Sequence, residues 1–202
     1  MKKIIAMMIM LFCLSAPTSY AQCPSDILFF GDSHVALGRW AWVFEEPVCK
    51  KGISGITARA VSLNMENWIR GYPEIIIVML GTNDLYRGMM TPYKNLLVED
   101  MIASYAVILD YIERNYPHSI VIVNSLFPPP KWRAGLVPYV IEFNTQLEQL
   151  VSQKGCGYIF IDAYSALVGE DGFIRREYGA AHLTSYGYEV WYGLLRDVLT
   201  GE

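Results

Sequence analysis

Residues 74–80 read Glu-Ile-Ile-Ile-Val-Met-Leu, six consecutive apolar residues behind one acid, and this run narrows the possible folds more than any other stretch of the chain. A strand with one face in water alternates polar and apolar side chains, so a run without alternation must be covered on both faces. A parallel sheet held between layers of helix meets that demand. Shorter runs of the same kind occur at 26–30 (DILFF), 47–50 (PVCK), 119–125 (SIVIVNS) and 158–161 (YIFI). Helical periodicity fills the intervals at 57–70, 92–115, 137–153 and 184–200, with Thr91-Pro92 reading as an N-cap followed by a helix-starting proline. The expected fold is α/β, five strands each followed by helix, and ligands of such sheets bind beyond the carboxyl ends of the strands.

The amino terminus stands outside this pattern. Lys2 and Lys3 precede an apolar run over 4–14, and Ser19-Tyr20-Ala21 puts small residues at the −3 and −1 positions of a cleavage site. This is expected to be a secretory leader over 1–21, leaving one domain over 22–202, and the run is too short to span a bilayer, which takes about 20 residues. The export route, to a periplasm or outside the cell, is an oxidising one. Cys23 raises lipidation as an alternative, although Gln22 is bulkier than lipidation signals place there. With Cys13 lost in the leader, Cys23, Cys49 and Cys156 allow at most one intramolecular disulfide, for which Cys23–Cys49 is the preferred pair. The chain has no CxxC and only three histidines, His34, His118 and His182, so no metal and no cofactor is expected. At 53% apolar and 18% charged residues the chain is too hydrophobic for a disordered polymer, and its net charge of −4 argues against a general nucleic-acid binder.

The polar signals collect where the strands end. The first strand runs into Gly31-Asp32-Ser33-His34, the second into Gly52-Ile53-Ser54-Gly55 and the third into Gly81-Thr82-Asn83-Asp84, each read as a glycine-bearing loop. His182 precedes the last helix and returns to the same edge by right-handed crossovers. These residue types permit acyl transfer. A serine hydroxyl becomes a nucleophile when a base within hydrogen-bond reach takes its proton, and the Ser33 amide, the Gly52 amide and the Asn83 side chain could together receive an oxyanion. Taken singly, each of these tripeptides is a common polar turn. Their order carries the signal.

GDSH at 31–34, Gly52 in KGISG, GTND at 81–84 and His182 in HLTSYGYEVW resemble, in order and position, the four blocks of the SGNH (GDSL-like) hydrolase superfamily. The similarity extends over nearly all of 22–202 and is greatest to the branch of platelet-activating-factor acetylhydrolase-like and carbohydrate O-acetylesterase members. It implies Ser33 as nucleophile, His182 as base, an oxyanion hole of Ser33, Gly52 and Asn83, and a three-layer α/β/α sandwich of flavodoxin-like type with parallel strand order 2-1-3-4-5. One position departs from the pattern. The family's acid, three residues before the histidine, is Gly179 here, leaving a Ser-His dyad, Glu177 as a substitute acid, or a degraded site as alternatives.

Trp40 and Trp42, Tyr86 and Trp132 bring aromatic rings near the proposed rim, where they could stack on a sugar or line an acyl pocket, although Trp40 and Trp42 equally suit packing of the first helix. Arg87, Lys131 and Arg133 flank the same loops. The expected function is an exported serine esterase acting on short acyl esters, with acetyl groups of carbohydrate foremost. A lysophospholipase or thioesterase, a glycan-binding protein on the same fold, and a flavodoxin-type cofactor binder are the alternatives.

Overall fold

The strands form because β-branched and aromatic residues pack on both sheet faces. The structure, a computed structural model, describes residues 25–44, 47–90 and 97–201. Strands β1 (Ile27–Gly31), β2 (Val48–Gly52), β3 (Ile75–Met79), β4 (Ile120–Asn124) and β5 (Tyr158–Ile161) build one parallel sheet in the order β2-β1-β3-β4-β5. Alternate residues of each inner strand feed two cores. Leu28, Phe30, Ile76 and Val78 face α2 (Ala58–Ser62), α4 (Leu97–Asn115) and α5 (Val137–Ser152). Ile27, Phe29, Ile77 and Met79 face α1 (Ser33–Leu37), α6 (Ala163–Leu167) and α7 (Ser185–Thr200). The expected three-layer sandwich and its strand order are therefore present.

Several boundaries differ from the sequence-based expectation, for local reasons. The stretches after β1 and β3 are not open loops. Asp32 caps α1 immediately, and α3 (Thr82–Gly88) begins directly after Gly81. The helix expected over 57–70 breaks into α2 and a 3₁₀ turn at Met65–Asn67, because Asn64 leaves helical geometry while Trp68 and Ile69 turn inward. Thr184 caps α7 as expected, its hydroxyl accepting from the Gly187 amide at 3.1 Å. The leader, Cys23 and the Thr91-Pro92 signal lie outside the described residues. Cys49 is disulfide-bonded and Cys156 is free; the preferred partner, Cys23, lies outside the described residues. No described helix is long and apolar enough to cross a membrane.

Buried side chains close the strand ends that water would otherwise solvate. The Tyr105 hydroxyl donates to the Leu80 carbonyl and accepts from the Leu80 amide, both at 2.9 Å. Asn144 does the same for Leu126, accepting at 2.8 Å and donating at 3.0 Å. The Asp84 carboxylate reaches across to cap α2, accepting from the Ala58 amide at 2.8 Å and the Arg59 amide at 3.4 Å. Burial nevertheless pushes the Asp84 carboxyl up to about 6, since those two amides and its own only partly offset desolvation and the nearby Asp32 adds to it.

A carboxyl raised in the folded state contributes stability that is full below the unfolded pKa, near 3.9, and is lost as pH rises through the folded value. Folding should thus lose about 3 kcal/mol of this contribution between roughly pH 4 and 6. Asp84→Asn should remove that loss. Urea unfolding of both proteins from pH 3.5 to 7 checks this, the difference between their stabilities changing inside that window and flattening outside it.

Candidate active site

Strand register sets the level of the site. Gly31 pairs with Gly52 on one side and Met79 on the other, so β1, β2 and β3 end together. Both glycines are required by close approach. A Cβ on Gly31 would lie 2.2 Å from the Met79 carbonyl oxygen, and one on Gly52 would lie 2.2 Å from the Ala36 amide nitrogen. Beyond Gly31 the buried Asp32 carboxylate accepts from the His34 amide at 2.9 Å through Oδ1, which leaves Ser33 as the first residue of α1. A first-turn amide has no acceptor within its own helix, so the Ser33 N–H remains to serve a ligand.

Not all four sequence blocks meet directly. Ser33 and His182 do: Nε2 of His182 lies 3.0 Å from the Ser33 hydroxyl. His182 is presented by a tight reversal in which Gly179 bridges Leu183, the Ala180 amide donates to the His182 carbonyl, and Thr184 donates its amide to Tyr178 and its hydroxyl to the Glu177 carbonyl. Asn83 sits in the first turn of α3, its amide donating to the Ile56 carbonyl at 3.0 Å. That bond, the Asp84 cap and the Arg87 bond to the Gly55 carbonyl at 2.8 Å all fasten the segment after Gly52 to α3. The proposed oxyanion donors are thereby held on one strand edge.

Glu177, the candidate substitute acid, makes no bond to His182 in this structure. Its side chain borders a neighbouring cleft, and no carboxylate among the described residues bonds to His182. Position 179 also has no room for one, since a Cβ there would stand 2.8 Å from the His182 carbonyl oxygen and 3.0 Å from the Ile174 side chain. A second histidine lies close to the chemistry. His34 is buried with Nδ1 on Asp32 Oδ1 at 3.1 Å, and its ring centroid is 5.4 Å from that of His182. The His182 imidazole is held below the ordinary histidine range, first by desolvation and then by His34, while Asp32 pulls the other way.

The aromatic expectations divide. Trp40 is 3% exposed and packs on Phe29 and Trp191, so it is a core residue rather than a substrate platform. Its indole N–H donates to the Val35 carbonyl, which holds the ring inward. The Trp42 side chain lies outside those described. Tyr86 does line the cavity beside His182, with His34, Thr82, Phe127 and Pro128. That cavity is small, about 20 Å³. Trp132, 63% exposed, borders a second cleft of about 410 Å³ that shares Ile174 and Ala180 with the first. His118 is exposed at the opposite edge of the sheet. Among the described residues no cluster of histidine, cysteine or acid is arranged to hold a metal ion.

Comparison with known proteins agrees with this architecture. A Streptococcus pneumoniae structure named for platelet activating factor is 22% identical, covers 91% of this chain and 86% of its own, and superposes with a TM-score of 0.77. An acetylxylan esterase from Geobacillus stearothermophilus is 16% identical over 84% of this chain and 91% of its own, with a TM-score of 0.65. A carbohydrate esterase family 3 structure from Talaromyces cellulolyticus is 21% identical over 87% and 96%, with a TM-score of 0.65. At such identities these likenesses establish the fold alone. No curated protein matches the chain. The GDSL-like lipase/acylhydrolase family does match, over residues 29–190, a span that holds Ser33, Gly52, Asn83 and His182, and the chain therefore belongs to that family.

Proposed function

We propose that the protein is an exported serine esterase that hydrolyses short-chain esters, chiefly acetyl esters of carbohydrate, through an acyl-enzyme on Ser33. The observation that carries this is the 3.0 Å contact between Ser33 Oγ and His182 Nε2 beside a cavity of about 20 Å³. A cavity of that size has room for about one water or one methyl group, which suits an acetyl and excludes a long chain unless the walls move. The same limit weighs against the lysophospholipase and thioesterase alternatives. Support for a carbohydrate ester comes from the acetylxylan esterase and carbohydrate esterase neighbours. The catalytic mutants of the former replace one serine and one histidine.

In this mechanism His182 Nε2 takes the Ser33 proton as Oγ attacks the acyl carbon. The oxyanion is received by the amides of Ser33 and Gly52 and by the Asn83 side chain. Collapse breaks the bond to the alcohol oxygen, which leaves with the proton from His182. Water then loses a proton to the same nitrogen and attacks the acyl carbon, and collapse breaks the bond to Oγ, which takes the proton back from His182 as the acid leaves. Without an acid at 179 the pair works as a dyad. The imidazolium formed on His182 is stabilised at a distance by Asp32, whose carboxylate is fully buried with Oδ2 lacking any partner among the described residues. Buried charge acts through a low dielectric and so over a longer range than it would in water. Export is supported by the leader pattern and by the disulfide at Cys49.

Hydrolysis of a p-nitrophenyl ester series should be confined to acetate and propionate, and Ser33→Ala and His182→Ala should each lower kcat about 10³-fold or more. Preference for palmitate would overturn the short-chain assignment, and no Ser33-dependent turnover on any ester, including acetylated xylo-oligosaccharides, would leave a binding protein on this fold.

The base must be unprotonated to act, so the acid limb of kcat/KM should lie below the ordinary histidine value of about 6.5. Asp32→Asn keeps the helix cap but removes the charge that raises His182. The limb should move further down while kcat falls about tenfold, well short of the ~10⁴ lost when a directly bonded acid is replaced. His34→Leu should move the limb upward, and pH–rate profiles of the three proteins measure both shifts.

A further inference from the structure

Arg133 is held in an arrangement that neither the fold nor the dyad accounts for. Its backbone, at φ −119° and ψ 35°, interrupts the 3₁₀ helix Lys131–Leu136 that follows the proline run. The guanidinium carbon lies 3.8 Å from the centroid of the Tyr86 ring and 4.5 Å from that of Trp132. Tyr86 is a wall of the small cavity beside His182 and Trp132 a wall of the larger cleft, so the guanidinium touches one wall residue of each. Among the described residues its enclosed Nε–H has no hydrogen-bond partner and no carboxylate pairs with it.

Two aromatic contacts fix the plane of a guanidinium, whose paired N–H groups have the geometry that receives a carboxylate or a phosphate through two hydrogen bonds. A packing role needs neither the charge nor the missing acceptor. An enclosed donor without an acceptor costs about 1–3 kcal/mol, so the side chain is held here against its own hydrogen bonding, and an incoming oxyanion would meet the outer nitrogens of the fork. The larger cleft has the volume, about 410 Å³, for a sugar unit or two, and Lys131, Arg175 and Arg176 border it, against Asp171 and Glu177. Lys131 is already drawn toward Asp171, at 3.8 Å, and Arg175 donates to the Val168 carbonyl and the Tyr178 hydroxyl.

We propose that Arg133 is a specificity residue that binds an oxyanion, carboxylate or phosphate, carried on the alcohol side of the ester, so that the preferred substrate is an acylated anionic sugar lying in the cleft along Trp132. This rests on the esterase assignment above and adds to it the charge of the substrate. The acyl group occupies the small cavity and the sugar the larger cleft, with Arg133 reading the charge between them.

The test compares kcat/KM for three monoacetylated sugars: methyl glucoside, methyl glucuronate and glucose 6-phosphate. The wild-type protein should favour one or both anionic esters about tenfold or more over the neutral one, as expected for a charge-assisted pair. Arg133→Gln should collapse that ratio, mainly through KM, and Arg133→Lys should recover only part of it because an ammonium lacks the planar fork. The carboxylate and phosphate arms tell the two oxyanions apart. Equal kcat/KM for all three esters, or a preference that survives in a folded Arg133→Gln protein, overturns the proposal. Calorimetric binding of the unacetylated glucuronate and phosphate sugars to Ser33→Ala reads Arg133 without turnover. Should no ester be cleaved, binding that depends on Arg133 sustains the anion site while the esterase assignment fails, and absent binding removes both.

Discussion

The buried carboxylate of Asp32 is the group on which the site depends. One of its oxygens holds both the amide and the ring of His34, and that single anchor starts α1, places Ser33 at the first helical position and turns His34 toward the cavity. The charge cannot be dispersed into water, so it is felt by its neighbours: it opposes the lowering of His182, and it helps raise Asp84 and the buried Tyr105 and Tyr188. Burying a carboxylate with one oxygen unsatisfied is unfavourable for stability. Its position one residue before the nucleophile gives that expense a chemical use.

Around this anchor the carboxyl edge is assembled by polar bonds between segments far apart in sequence. α3 alone fastens the segment after β2 at three points, through Asn83, Asp84 and Arg87. The Tyr188 hydroxyl of α7 donates to the His34 carbonyl, tying the helix after His182 to the helix that begins at Ser33. Trp191, fully buried, bonds Asn124 and packs against Phe29, Trp40 and Phe127, so the floor beneath the pair is rigid aromatic packing. A histidine without a directly bonded acid is thus oriented by its loop and by what packs beneath it.

The strands and long helices were legible because each is long enough to show a period. β3 and β4 are continuous apolar runs, and α4, α5 and α7 repeat their apolar residues every three or four positions. The five-residue helices α1 and α6 and the seven-residue α3 are too short for that signal, and their openings look like polar turns because capping and turning use the same Asp, Ser and Thr chemistry. Trp40 stayed open between packing and substrate contact for a related reason: proximity to the serine in sequence says nothing about which side of a helix-sheet junction a ring faces. Arg133 was visible only as one of several loop cations, since nothing in the chain order pairs it with Tyr86, 47 positions earlier.

By itself the sequence determined the α/β alternation, the burial of the sheet on both faces, the family blocks at Ser33, Gly52, Asn83 and His182, and the loss of the acid at Gly179, because all of these are local patterns of residue type. The tertiary structure decided that the Ser33 hydroxyl and His182 meet at 3.0 Å, that Glu177 lies elsewhere, that His34, held by Asp32, adjoins the base, and that Arg133 is stacked between Tyr86 and Trp132. Those outcomes rest on register, crossover and packing among residues as many as 149 positions apart, and such distances are set only when the sheet closes and its two cores fill.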